Sequence, residues 1–376
     1  MKVLHVYRTY YPDPPGGLQQ AIRQICGGCK ALGIDSSIYT LSPTPYPISI
    51  DRPEGTVVRG KSYWAPASCD LGGPAEFAQF SRLAAQADIL HFHFPWPFAD
   101  LLNLLPAARK PKVMTYHSDI VKQKVLGGLY RPLMRHTLAD MDAVVATSPA
   151  YARTSDVLRR FVKPERLKVI PLGMNDGVVE AAASSADEGI LDRLGLRTRP
   201  FVLALGVLRY YKGLHHLVHA CSQIHGTVVL AGSGPEDGAL RALAAQLGAS
   251  NVVFAGQVSE AEKHALLGAC TALVLSSHLR SEAYGMVLLE AAMHAKPQIS
   301  CEIGTGTSFI NLDGETGYVV PAENPEALAQ AVNRLFDAPS AAADMGRRAR
   351  LRYEQNFTGD IMAAAYRDLY ESVIRH

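Results

Sequence analysis

Glu282 and Glu290 bracket the stretch of this chain best suited to chemistry, SEAYGMVLLEAAMHAKP at residues 281–297. The run reads as a loop that leaves a buried strand and opens a helix. Tyr284, Gly285 and Met286 then present backbone amides at a helix N-terminus. Unpaired N–H groups and the helix dipole attract an anion there, and a diphosphate suits them. Each carboxylate can accept hydrogen bonds from sugar hydroxyls. Glu282 also reads as an ordinary helix-start acid, and Glu290 as a surface residue. Against the second reading, Val287, Leu288, Leu289, Ala291 and Ala292 surround Glu290 with apolar positions. A carboxylate in such a helix is costly unless it has a partner.

Other loops carry weaker signals. Gly16-Gly17 follows a first strand and precedes its helix, so backbone amides can approach an anion closely. Gly232-Ser233-Gly234-Pro235 also follows a strand, but the glycines run Gly232, Gly234, Gly238. That spacing breaks G-x-G-x-x-G and disfavours a nicotinamide enzyme; a plain turn fits as well as a ligand loop. His91 and His93 form H-x-H at a strand end, with Asp100 and His117 as possible neighbours; a metal site there is the minority reading. Phe92, Phe94, Trp96 and Phe98 read as core, with a sugar-stacking surface as the alternative. Cys26-x-x-Cys29 shares an apolar helical face with Leu18, Ile22, Ile25 and Leu32, so buried thiols are expected rather than a metal or redox pair.

The elements that must position these residues alternate β and α. Strands are expected at Lys2–Tyr7, Ser36–Thr40, Ala87–Phe92, Lys112–Tyr116, Ala143–Ala146 and Leu167–Ile170, with a helix from about Leu18 to Leu32. The pattern restarts at FVLALG (201–206) and continues through 227–232, 251–256 and 271–276. Short apolar strands separated by helices mean parallel sheets covered on both faces. The polar segment 173–199 reads as the connection between two domains, 1–173 and 174–357. A last helix, about 358–376, is expected to return to the first domain.

The 376 residues are too many for one comfortable core and suit two domains. Hydrophobic residues at 48% and charged residues at 19% are the balance of a globular protein. A net charge of +2 gives no bulk argument for nucleic acid as a partner. No apolar run reaches membrane-spanning length, the start lacks signal-peptide character, and six cysteines fit a reducing compartment, so a cytoplasmic protein is expected.

Glu282-x7-Glu290 resembles the signature of the retaining glycosyltransferase family 4. Agreeing in order and spacing are Gly16-Gly17, YHSD (116–119), VIPLG (169–173), GVLRYYKG (206–213), AGSGP (231–235) and FAGQV (254–258). HFPWPFAD, YHSDIVKQ, HLRSEAYG and CEIGTGTSFIN resemble the bacterial O-antigen-type mannosyl- and D-rhamnosyltransferases most. The resemblance implies an α/β GT-B fold, two Rossmann-like domains with parallel sheets facing across a donor cleft. It implies that Glu282 and the amides of Ala283, Tyr284, Gly285 and Met286 hold the donor sugar and phosphate, while Glu290 bonds the ribose. Lys212 and a nearby arginine would neutralise the diphosphate, His117 would lie beside the reacting sugar, and Gly16-Gly17 would face the diphosphate. The loops at Gly234 and Val258 would line the base. No cofactor or metal is implied, because cations and helix dipoles do that work.

Two positions depart from the family pattern. Val207 stands where relatives carry the arginine after Gly206, so Arg209 is expected to supply the second cation. IGTGTS (303–308) is an atypical glycine-rich turn. The expected reaction moves mannose or a 6-deoxyhexose such as D-rhamnose from a GDP-sugar to a lipid-linked glycan. A UDP-sugar donor, a sugar-nucleotide epimerase and a non-catalytic nucleotide-sugar binder are the competing readings. Between Asp119 and Asp140, Lys122, Lys124, Arg131 and Arg135 mingle with Val121, Val125, Leu126, Leu129, Tyr130, Leu133 and Met134. Such a mixture suits an anionic membrane surface as well as a solvated face, with Gly127, Gly128 and Pro132 expected to interrupt any long helix.

Overall fold

A computed structural model describes residues 1–13, 16–66, 69–120, 124–175 and 189–375. The chain divides into two compact units, Met1–Asn175 with Gly359–His376, and Asp176–Thr358.

The first unit holds eight strands: β1 Lys2–Val6, β2 Asp35–Ser42, β3 Ser49–Arg52, β4 Gly55–Lys61, β5 Ile89–Phe94, β6 Lys112–Tyr116, β7 Ala143–Ala146 and β8 Leu167–Val169. They lie in the order β3-β4-β2-β1-β5-β6-β7-β8. All pairs are parallel except β3 with β4. The central strands β5, β6 and β7 are buried along their whole length, as parallel strands covered on both faces are, and β5 and β6 bury His91, His93, Lys112 and Thr115 among their apolar residues. The hairpin β3–β4 was not expected from the sequence. Its turn ends on Gly55, where a side chain would meet the Ser36 carbonyl oxygen at 2.2 Å.

The second unit has six strands: β9 Phe201–Leu205, β10 Thr227–Ala231, β11 Val252–Gly256, β12 Ala272–Leu275, β13 Gln298–Glu302 and β14 Gly317–Pro321. All are parallel, in the order β11-β10-β9-β12-β13-β14. Counted from β9, this is the doubly wound order 3-2-1-4-5-6, whose direction reverses between its first and fourth strands. β13 and β14 escaped the sequence reading because β13 buries Gln298 and Ser300, polar residues that break an apolar run. Gln298 Nε2 donates to the Leu288 carbonyl, and Asn311 donates to Ser300 Oγ, so part of this buried polarity is paired within the unit.

Three expectations need correction. The strand expected at 87–92 runs over 89–94, because β1 pairs with it from Val3 opposite Ile89. Residues 176–188 of the expected connection lie outside the described residues, but its end belongs to the second unit: Ile190, Leu191 and Leu196 are buried there. Pro132 does not interrupt the helix Lys124–Asp140, which continues through it.

The helix Gly359–Ile374 closes the chain on the first unit, against the helix Gly17–Ala31. Gly28 permits the approach, since a methyl group there would lie 2.8 Å from Ala363 Cβ. Tyr366 and Tyr370 reach from this helix into the sheet. The Tyr370 hydroxyl bonds His91 Nδ1 at 2.7 Å, and His91 Nε2 bonds Thr115 Oγ1 at 2.7 Å. Tyr366 bonds the same threonine at 2.8 Å. Tyr370→Phe should therefore orphan a fully buried imidazole nitrogen and cost the first unit about 1–3 kcal/mol. Urea unfolding followed by far-UV dichroism measures this, and an unchanged midpoint would remove the bond from the stability of the fold.

Candidate functional site

In a doubly wound sheet, ligands bind beyond the carboxyl ends of the strands where the order reverses. In the second unit that place is the pair of loops after β9 and β12. The β9 loop ends in a short turn, Tyr210–Lys212, closed by Gly213 in the left-handed conformation at φ 63°. A side chain at Gly213 would strike the Ser276 carbonyl oxygen at 2.2 Å. The loops are stitched there: Ser276 Oγ donates to the Lys212 carbonyl at 3.0 Å, and the His278 amide donates to the Tyr211 carbonyl at 3.1 Å. Gly206, Val207, Leu208, Lys212 and Ser276 line a small recess at these strand ends.

The stitching brings Lys212 Nζ to 2.5 Å from Glu282 Oε2. Ser277 Oγ donates to the same oxygen at 3.1 Å. Both ionic side chains are largely buried. Burial works against the Lys212 charge, but the Glu282 carboxylate outweighs it and raises the lysine above its ordinary value. Lys212 is therefore a held ammonium.

Glu282 opens the segment that leads to the helix Met286–Met293. Gly285, at φ 89°, caps that helix without a side-chain bond. A side chain there would lie 2.9 Å from Leu275 Cδ2. The first helical amides have no partner within the helix, as at any helix start. The IGTGTS turn is brought directly against this segment. The Gly306 amide donates to the Ala283 carbonyl at 2.9 Å, and Arg280 donates to the Gly304 carbonyl at 2.8 Å.

Glu290 has the partner its apolar context demands. Lys263, from the helix Glu260–Ala269, donates to Glu290 Oε1 at 2.8 Å and also pairs with Glu260. Burial opposes the Lys263 charge, yet the carboxylates raise it above its ordinary value. Sequence reasoning required a partner without finding Lys263, which is 27 residues away. Val258 directly precedes the N-cap of that helix, Ser259.

Gly232 and Gly234 are explained by packing. Side chains there would lie 2.0 Å from the Gly206 carbonyl oxygen and 2.4 Å from that of Leu208. These glycines let the β10 loop press against the β9 loop. Arg209 is exposed, and no hydrogen bond or ion pair holds its side chain among the described residues.

In the first unit, Gly16 caps the helix Gly17–Ala31 just after β1. His117 follows β6, is buried, and bonds His93 through Nε2 at 3.0 Å. Burial pushes its imidazole down to about 3. In place, the H-x-H pair gathers with His5 rather than with Asp100. Asp100 is taken by the Tyr130 hydroxyl, and burial pushes its carboxyl up to about 7. The nitrogens of His91 and His93 are engaged in hydrogen bonds instead. The stacking-surface reading of Phe92, Phe94, Trp96 and Phe98 is overturned: all four are core, and Trp96 donates to the Asp70 carbonyl. Cys26 and Cys29 are the buried, unoxidised thiols expected, raised by burial.

This is a GT-B glycosyltransferase fold. The structure is similar to sucrose-phosphate synthase from Thermosynechococcus elongatus, with a TM-score of 0.80, 21% identity, and 100% of this chain and 99% of that one covered. It is equally similar to Anabaena HepE solved with UDP, with a TM-score of 0.80 at 18% identity, covering 99% and 100%. Residues 15–177 match the model described as Glycosyltransferase Family 4, and residues 190–352 that of Glycosyl transferases group 1. The chain belongs to this glycosyltransferase family. Over 95% of its length it is 46% identical to the D-rhamnosyltransferase WbpZ of Pseudomonas aeruginosa, covering 92% of that protein. It is 40% identical to the O-antigen chain mannosyltransferase C of Escherichia coli, covering 100% of this chain and 99% of that one.

Proposed function

We propose that this glycosyltransferase moves mannose or a 6-deoxyhexose such as D-rhamnose from a GDP-sugar to a lipid-linked glycan of bacterial O-antigen, with retention and without a metal. The pair Lys212–Glu282 at the reversal of the second sheet carries the reading. Breaking the anomeric C–O bond leaves negative charge on a diphosphate, and fixed cations and amides aimed at that charge are the main catalytic requirement. In this reading Lys212 and the amides from Ala283 to Met286 meet the diphosphate, with Glu282 on the donor sugar. Glu290, whose Oε1 is engaged by Lys263, offers its remaining acceptor capacity to the ribose. Gly234 and Val258 line the base. The first unit takes the acceptor, with Gly16-Gly17 facing the diphosphate and His117 beside the sugar. The names of the two bacterial relatives support the sugar and the O-antigen setting.

Membrane association belongs to the same proposal. On the helix Lys124–Asp140, Arg131 and Arg135 are exposed while Met134 and Leu138 are buried. Val121 and Lys122 lie outside the described residues, as do the side chains of Lys124, Val125, Leu126 and Leu129. The exposed arginines would rest on anionic headgroups beside a lipid-linked acceptor. Flotation with anionic and neutral vesicles at low salt checks it; equal recovery on both removes the electrostatic contribution.

The donor is tested by a thermal-shift panel of GDP, UDP, ADP and dTDP. A nucleotide at 100 times its Kd stabilises by about 2.7 kcal/mol, and GDP should give the largest shift. A clear preference for UDP overturns the donor and leaves the fold untouched.

Arg209 is proposed as the second cation. A group acting mainly in the transition state changes kcat more than donor affinity. Arg209→Ala should thus lose about 3 kcal/mol of transition-state stabilisation, with nucleotide binding reduced less. Lys212→Ala should be at least as damaging to turnover. Near-normal kcat for Arg209→Ala beside an inactive, folded Lys212→Ala leaves a clamp of one member.

A further inference from the structure

The first unit buries a row of imidazoles of which the proposed donor site uses only His117. His5 on β1, His93 on β5 and His117 after β6 are 0%, 1% and 6% exposed. They are joined head to tail. His117 Nε2 lies 3.0 Å from His93 Nδ1, and His93 Nε2 lies 3.1 Å from His5 Nδ1. At the far end His5 Nε2 approaches Ser36 Oγ at 3.5 Å. The rings of successive members stack, with centroids 5.3 and 5.4 Å apart. His91 stacks beside the row but spends both nitrogens on Tyr370 and Thr115.

Burial disfavours the charged form of every ring in the row. Burial pushes His5 and His117 down to about 3 and drives His93 well below its ordinary value, with the neighbouring imidazoles adding to the effect on His93. A neutral imidazole has one donor nitrogen and one acceptor nitrogen. Each bond here links an Nε2 to the next Nδ1, so the choice made by one ring is imposed on the next. Either all three rings carry the proton on Nε2, or all three carry it on Nδ1. A mixed row leaves two N–H groups or two lone pairs facing each other in the core, which buried polar groups do not tolerate.

We infer that His93 and His5 are positioning residues that hold His117 in one tautomer, leaving its Nδ1 as an acceptor for a sugar hydroxyl. The inference rests on the proposed place of His117 beside the sugar. The Nε2-protonated form is the commoner tautomer of a free neutral imidazole, and Ser36 Oγ can accept the last proton of the row. No hydrogen bond takes His117 Nδ1 among the described residues, so this nitrogen remains for a ligand. An unprotonated Nδ1 accepts from a hydroxyl and repels an anionic oxygen, so the row selects a sugar hydroxyl over a phosphate at this point. Ser36 is itself buried, so the row ends in the core. It therefore sets a proton position rather than conducting protons to solvent.

The test uses the full chain labelled with ring 15N histidine, without ligand, at pH 7. Long-range 1H–15N correlation reports the tautomer of each ring. His5, His93 and His117 should all appear neutral and protonated on Nε2. Different tautomers among the three, the shared Nδ1–H form, or an imidazolium at any of them overturns the inference without reference to activity. His5→Leu then breaks the row at its far end. His117 should become a tautomer mixture and kcat should fall at least about tenfold, with nucleotide affinity within about twofold. His5→Gln, whose amide oxygen can take the His93 proton, should restore most of the loss. A folded His5→Leu with His117 still in a single tautomer overturns the positioning role. Unchanged kcat with a mixed His117 sinks the place of His117 beside the sugar, and the inference with it. If His5→Leu does not fold, the wild-type spectrum alone decides.

Discussion

The second unit is organised around one ion pair, Lys212 with Glu282, whose members are 70 residues apart in sequence. They meet only because β9 and β12 are neighbours in the sheet. A buried pair stands when its geometry is good and further hydrogen bonds serve its remaining atoms. That requirement accounts for much around it. Ser277 serves the carboxylate, Ser276 fixes the lysine's backbone, and Gly213 lets the two loops touch. Gly232 and Gly234 allow the β10 loop to brace the β9 loop from the other side. Gly213, Gly232 and Gly234 follow from the closeness of these loops.

A second cation–carboxylate pair, Lys263 with Glu290, repeats the arrangement on the next helix. Each acid thus has a lysine before any donor arrives. On the proposed reading, binding is an exchange of partners. A diphosphate takes a share of the Lys212 ammonium from Glu282, which frees acceptor capacity for sugar hydroxyls. Such a site keeps its charges in place and needs little reorganisation when charge develops, which is the property that makes fixed dipoles and ions effective catalysts.

Most of the sheet framework was legible because buried parallel strands are short apolar runs between turns, as in β6, β7, β9 and β10. β3 and β4 carry charged residues at a sheet edge, and β13 buries amide and hydroxyl groups, so hydropathy did not find them. Glu290 was legible through cost: an acid among Leu and Ala must have a partner. The identity of that partner was not, since Lys263 lies on a helix whose own pattern says nothing about its neighbour. The aromatic row at Phe92–Phe98 left a stacking surface open beside core, and the H-x-H motif left a metal open as the minority reading, because alternation alone cannot say which face of a strand is covered. The helix Gly359–Ile374 supplies the cover, and its two tyrosines turn the histidine face into a satisfied interior.

The doubly wound order of the second unit is shared with dinucleotide-binding proteins, so strand order by itself does not choose the ligand. The loops choose it. In the dinucleotide fold the glycine-rich turn and helix N-terminus after the first strand receive the pyrophosphate. Here the loop after β9, the corresponding strand, ends in Lys212 and a glycine whose left-handed φ serves contact with the β12 loop. The helix that follows, Leu214–Ala220, is short. The capless helix N-terminus lies instead after β12, at Gly285, next to the carboxylate that holds the lysine. Anion-attracting groups have thus been divided between the two strands that flank the reversal, and an acid has been set among them. A dinucleotide site has no use for a carboxylate beside its phosphate cradle, because it would repel the ligand. A site that must also grip a sugar does, so on the proposed reading it is the position of Glu282, and not the strand order, that points to the chemistry of the unit.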